Sequence, residues 1–142
     1  MAYTFQVTID CLAPHDLAEW WAETLGWEVE RTDEDFIRRM VAEGRAEESD
    51  TTTHRGTLVW RTGAAIRHPE PDRAPRIFFQ GVPEPKVGKN RLHLDLRTGE
   101  DYPASAEALR SRGATKLYDG QQGPFTWVTL TDPEGNEFCV SR

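Results

Sequence analysis

Three side chains that can handle a proton or a charged ligand stand at alternate positions in KNRLHLDL, residues 89–96: Arg91, His93 and Asp95, separated by Leu92, Leu94 and Leu96. Side chains alternate between the two faces of a strand, so a strand here would send the leucines into a core and the polar three to the other side. An imidazole that titrates near neutrality, oriented by a carboxylate, can move a proton beside a carbonyl, as isomerases and lyases require. A second such row lies in YTFQVTIDC, residues 3–11, where Gln6, Thr8 and Asp10 share one parity and Val7, Ile9 and Cys11 the other. His93 is therefore the candidate acid/base, with Asp95 or Asp10 as its carboxylate partner. The plainer reading makes His93 a satisfied interior imidazole, and Asp10, Asp95 and Arg91 an ion network. Trp60 and Trp127 are candidate walls for a planar ligand, because flat aromatic faces suit stacking. No nucleophile elbow, Gly-rich phosphate loop or Cys-based catalytic signature occurs, so hydrolase, kinase and nicotinamide-oxidoreductase readings have no support.

Composition narrows the classes further. The chain has 142 residues, enough for one domain, and 24 acidic against 17 basic residues give a formal net charge of -7. Such a balance lacks the basic footprint of a nucleic-acid binder. No apolar run approaches the roughly 20 residues of a membrane span, and MAYTFQVTID opens on a strand pattern instead of a leader, so a cytoplasmic protein is expected. Cys11 and Cys139 make no disulfide framework and are expected to be reduced.

Strand and helix patterns alternate along the chain. Residues 3–11 read as a strand, HDLAEWWAETLG as a helix with Leu17, Trp20, Trp21 and Leu25 at helical spacing, and residues 27–31, 57–60 and 76–82 as three strands. An inserted helix is expected in TDEDFIRRMVAEGRA, with Phe36, Ile37, Met40 and Val41 on one face and Thr32 and Asp35 spaced like a capping box. Residues 61–75, with Pro69, Pro71 and Pro75, read as an exposed loop. After a linker at 83–90 the order restarts: strand 91–97, helix 103–112, and strands 115–118, 126–131 and 137–141. The offset that places Gln6 on His93 also places Val7 on Leu94, Ile9 on Leu96 and Gly26 on Gly113, which marks an internal duplication. FFQGV and EFCVS superpose as well, with Phe79 on Phe138 and Gln80 on Cys139. The expected fold is α+β, two βαβββ modules forming a curved mixed sheet around a shared cleft. It is a single domain over 1–142, with module one at 1–82, its helical insert at 32–56, and module two at 91–142.

The duplicated module, together with TIDCLAPHDLAEWWAETLGW, KNRLHLDL and DPEGNEFCV, resembles the vicinal oxygen chelate superfamily, most closely its glyoxalase-like and bleomycin-resistance-like branch. The resemblance spans nearly the whole chain apart from about 33–55. It implies a divalent metal held at positions that here carry Gln6, Gln80, His93 and Cys139. Two of these are neutral amides and the expected carboxylates are missing, so no conventional metal is expected. If a metal is bound, those four residues would hold it, or His93 and Cys139 with Asp95 or Asp10 in a softer zinc site. Asp132, Pro133 and Gly135 in DPEGN have turn chemistry and need no catalytic role.

The resulting expectation is a glyoxalase-like protein that binds a small molecule through Gln6, Thr8, Gln80, Arg91 and Cys139 with Trp60 and Trp127 as walls. His93 would act as acid/base in a lyase or isomerase reaction without a metal cofactor. Two alternatives stay open: a metal-dependent lyase, isomerase or dioxygenase, and a resistance-type protein that sequesters its ligand, usually at a homodimer interface. No nucleic-acid or membrane partner is expected.

Overall fold

The computed structural model describes residues 1–142. It contains two compact units, Met1–Pro85 and Lys86–Arg142, each with a four-stranded mixed sheet. The first runs β1 (Val7–Cys11), α1 (Pro14–Leu25), β2 (Glu28–Val29), α2 (Glu34–Ala42), a 3-10 turn (Glu48–Asp50), β3 (Thr51–His54), β4 (Thr57–Trp60), β5 (Gly63–Arg67) and β6 (Ile77–Gly81). Its sheet order is β1-β6-β5-β2, with β1 and β6 parallel. Pro14 suits the first turn of α1, where a missing N–H breaks no helical bond, and Gly26 ends the helix in the left-handed conformation at φ 67. Leu17, Ala18 and Trp21 pack the inner side of α1 against β5 and β6, and with Ile66, Ile77 and Phe79 they are at most 3 % exposed. Trp20 is also buried, edge-on to Trp21. Cys11 joins this core, while Thr8 and Asp10 face outward as strand parity requires.

The stretch from the insert through residue 67 differs from expectation in three ways. Residues 57–60 do form a strand, but β4 pairs with β3 in a separate hairpin, and the sheet position belongs to β5, inside the stretch read as a loop. Gly63, Ala64 and Ala65 carry little strand propensity, so β5 is nearly silent in the sequence. Space demands the small residue at Gly63: a Cβ there would stand 2.9 Å from the Phe78 ring. Helix α2 forms, but its cap is Asp33, whose side chain accepts the Phe36 N–H at 3.0 Å in place of the Thr32–Asp35 box. Ile37 buries the inner side of α2, while Phe36 is largely exposed.

Polar bonds tie the hairpin to α1. His54 Nε2 donates to Glu19 Oε1 at 2.7 Å, and Arg55 reaches the other oxygen at 2.9 Å. Burial works against the Glu19 charge, but these two donors prevail and hold its carboxyl below the usual range. The strand expected from residue 3 begins only at Val7, leaving Tyr3 and Phe5 exposed.

The second unit runs β7 (Leu94–Arg97), α3 (Tyr102–Ser111), β8 (Thr115–Gln122), β9 (Phe125–Thr131) and β10 (Glu137–Ser141), with sheet order β7-β10-β9-β8 and β7 parallel to β10. Ala106 and Leu109 of α3 cover the inner sheet face, where Leu96, Val128, Leu130, Phe138 and Val140 are buried. Each fully buried large apolar side chain contributes about 1.5–3 kcal/mol. The strand expected from residue 91 starts at Leu94, so Leu92 does not enter the core but is 89 % exposed. Side chains, not a ladder, hold the preceding segment: Asn90 N–H donates to Glu137 Oε2 at 3.0 Å, Asn90 Nδ2 to Asn136 Oδ1 at 2.8 Å, and Lys86 Nζ to Glu137 Oε1 at 2.9 Å. Residues 86–90, expected as linker, are thus bonded into this unit. DPEGN makes the expected turn, with Asp132 Oδ1 accepting the N–H groups of Glu134 and Asn136 at 2.9 and 3.0 Å.

Candidate functional site

Strand β7 sends Leu94 and Leu96 toward the core and Asp95 and Arg97 outward, with His93 just before it on the outward parity. Register carries that face across the sheet: Asp95 lies beside Cys139, Cys139 beside Thr129 and Thr129 beside Tyr118. One strand-spacing row further on come Arg97, Ser141, Trp127 and Gly120. These rows floor a cavity of about 880 Å³, walled further by Tyr102 and Phe125. Its volume falls in the usual range of small-molecule sites.

In its lining His93 Nδ1 and Asp95 Oδ1 are 3.0 Å apart. With Nδ1–H donating to the carboxylate, Nε2 is the ring nitrogen left to take a proton. Cys139 shares a hydrogen bond with Thr129 Oγ1 at 3.4 Å, and Trp127 Nε1 donates to the same oxygen at 3.1 Å. Burial, chiefly, raises the Cys139 thiol above its ordinary value; the Asp95 charge adds to this, while Thr129 and Lys89 oppose it. A thiol shifted upward is a poor nucleophile at neutral pH. His93, Asp95 and Cys139 each offer a ligand atom within 4.8 Å of the others.

Several charges around the cavity are already matched. Arg142 pairs with Glu100 at 2.6 Å, and Glu137 with Lys86 at 2.9 Å. Burial opposes the Glu137 charge, yet Lys86 and the Asn90 N–H hold its carboxyl below the usual range.

The remaining expected site residues lie elsewhere. Arg91 precedes the strand and does not line the cavity. Gln6, Thr8 and Asp10 are on the exposed face of β1, Gln80 is exposed on β6, and Trp60 sits on the β4 hairpin, where its carbonyl accepts His15 Nε2 at 2.7 Å. Pairing also corrects one superposition. Thr8 pairs with Phe78 as Asp95 does with Cys139, so Phe78, not Gln80, is the counterpart of Cys139; Gln80 corresponds to Ser141. The error moved along β6 by an even number of residues and therefore kept the correct face. The conventional metal set does not fit these residues: Gln6 Oε1, the atom that would bind a cation, accepts Arg76 Nη1 at 3.0 Å instead. Thr129, Tyr118, Arg97 and Ser141 escaped the sequence reading, although Thr129, Arg97 and Ser141 share the parity of Trp127, Asp95 and Cys139 on their own strands.

A family model described as a glyoxalase-like domain matches residues 6–141. No curated protein matches the chain in sequence. A glyoxalase/bleomycin resistance protein/dioxygenase family enzyme from Burkholderia phytofirmans PsJN is 13 % identical at a TM-score of 0.60, covering 95 % of this chain and 94 % of that one. A superfamily member from Sphaerobacter thermophilus DSM 20745 is 15 % identical at 0.60, with coverages of 99 % and 97 %. A mutant of the fosfomycin resistance protein FosX from Listeria monocytogenes, complexed with Mn(II) and 1S,2S-dihydroxypropylphosphonic acid, is 8 % identical at 0.65, with coverages of 99 % and 92 %. Identities this low speak for the fold alone. The two βαβββ units and the family match over residues 6–141 together make the chain a member of the glyoxalase-like domain family.

Proposed function

We propose that the protein binds a small organic molecule on the outer face of the second sheet and that His93, oriented by Asp95, exchanges a proton with it, as a lyase or isomerase would. The observation that carries this is the 3.0 Å His93–Asp95 pair lining an 880 Å³ cavity beside Trp127. The carboxylate keeps Nδ1 protonated, so Nε2 can take a proton from carbon next to a carbonyl, and the imidazolium can return it to a neighbouring atom. Bound ligand would shield the exposed pair from water and strengthen its electrostatics. Trp127 serves as wall and Cys139, as neutral thiol, as floor. The reading uses residues of the second unit only, and assigns no ligand contact to Gln6, Thr8, Asp10, Trp60, Gln80 or Arg91. Cys11 and Cys139, neither of them in a disulfide, suit a reducing compartment and support a cytoplasmic location.

A second reading is favoured by one observation. The donor atoms of His93, Asp95 and Cys139 are close enough to share an ion, and a thiolate would suit zinc better than manganese. Its upward-shifted thiol would have to lose its proton first, which weighs against it.

Thermal-shift screening with carbonyl, hydroxy-acid and planar heteroaromatic compounds should find a stabiliser whose effect is lost in His93→Ala and kept in Glu84→Gln, an exposed change outside the cavity. The reading fails if no class stabilises the protein. Elemental analysis should return substoichiometric metal; one ion per chain, lost in Cys139→Ser, would establish the second reading instead.

A further inference from the structure

The row Arg97–Ser141–Trp127–Gly120 crosses the cavity floor on four adjacent strands. Gly120 carries no positive φ, so its backbone does not demand glycine. Space does: a Cβ there would fall within the Trp127 ring. The indole therefore lies flat over the β8 backbone instead of standing up into the cavity, and its bond to Thr129 Oγ1 at 3.1 Å holds that pose. A flat, half-buried indole face is a stacking platform.

The other end of the row is polar and cationic. The Ser141 hydroxyl makes only a long 3.5 Å bond to the Arg142 carbonyl. The Arg97 side chain is exposed and has neither a hydrogen bond nor an ion pair, in contrast with Asp95, Glu137, Glu100 and Arg142, all of which are matched within the unit. Neighbouring strands are about 4.8 Å apart, so a group stacked on the indole, over β8, lies about 14 Å from the Arg97 backbone, with β9 and Ser141 between. A guanidinium on its flexible stem covers part of that distance, a carboxylate carried on the stacked ring covers the rest, and the guanidinium prefers planar, bidentate oxyanions. A cationic ligand could also sit on the indole, but the acidic groups it would need are already occupied.

We infer that the site selects a planar aromatic carboxylate, its ring on Trp127 and its carboxylate over Ser141 toward Arg97, with Gly120 as the residue that makes the platform. This rests on the ligand-binding reading above and names the class of ligand. Calorimetric titration of the full-length protein with 2-naphthoate, 2-naphthamide and cyclohexanecarboxylate tests it. Naphthoate should bind at least about tenfold more tightly than either analogue, the scale set by a charge-assisted hydrogen bond. Arg97→Gln should erase the preference for acid over amide while leaving naphthamide affinity unchanged. Gly120→Ala should weaken both naphthyl ligands, and Trp127→Leu, which leaves Gly120 in place, should do the same if the glycine variant does not fold. Equal affinity for acid and amide, or for flat and puckered rings, overturns the inference. A ligand of other chemistry whose binding needs His93 but neither Arg97 nor Trp127 overturns it while leaving the proposed function standing. Failure of every ligand class overturns both.

Discussion

The two units share a chain order and a sheet order, yet they use the outward face of the sheet in opposite ways. In the first, the position matching Cys139 holds Phe78, whose ring lies over Gly63 with the Arg76 guanidinium 5.5 Å from its centroid. Arg76 also donates to Gln6 Oε1 at 3.0 Å and pairs with both oxygens of Glu30, and Gln6 Nε2 reaches Thr8. Gln6 and Thr8 are thus joined into a network closed by an arginine. In the second unit the same positions are His93 and Asp95, paired with each other and closed by no arginine, and a thiol stands where the ring would be. A small side chain at one register position leaves room for a ligand where its counterpart fills the space. Duplicated architecture does not imply duplicated function, because chemistry resides in the side chains of the face.

That difference can be reversed experimentally. Cys139→Phe should carry the filling ring of the first unit into the second and abolish ligand binding in calorimetry, while destabilising the fold by no more than about 1–3 kcal/mol, the range for overpacking. Retained affinity would mean that the cavity is not the binding site. Asp132→Ala should come next: it removes a carboxylate that is 2 % exposed and leaves the N–H groups of Glu134 and Asn136 without it, a loss of about 2–3 kcal/mol in urea unfolding. A loss below about 0.5 kcal/mol would show that the turn does not anchor β10.

The smallest effect is acid sensitivity. Glu137 and Glu19 both have carboxyls lowered in the fold from an ordinary 4.5, so each stabilises its unit above that value and stops doing so as pH falls through its folded-state pKa. The Lys86–Glu137 pair, with side chains 21 % and 13 % exposed, should contribute about 1–2 kcal/mol, and the more exposed Glu19 cluster about 1 kcal/mol or less. Denaturation from pH 7 to pH 3 should show the larger acid loss cancelled by Glu137→Gln and the smaller by Glu19→Gln. The reverse ranking would mean that burial of Glu137 outweighs its donors.

Legibility followed the strength of the local signal. The duplication, all three helices and strands β9 and β10 could be read from periodicity, since Leu17, Trp21, Val128 and Phe138 repeat at the spacing of their element. Strand β5 could not, because its Gly-Ala-Ala start records a close approach by Phe78, a partner from another strand. The length of β7 could not either: residues 91–93 continue its alternation, but Asn90 just before them is bonded to Asn136 and Glu137 instead of to a ladder. For the site, parity and the repeat were enough to place His93, Asp95 and Cys139 on one face, and the aromatic side chain singled out Trp127.

By itself, then, the sequence determined the repeated βαβββ order and, for the strands it revealed, which side meets the core, since both follow from the period of side-chain alternation, a local property of the backbone. Only the tertiary structure decided that Phe78 opposes the counterpart of Asp95, that Arg76 occupies Gln6, and that Gly120 lets an indole lie flat. Those facts depend on the register between strands distant in the chain, and a slip of two residues preserves every local pattern while changing which side chains meet.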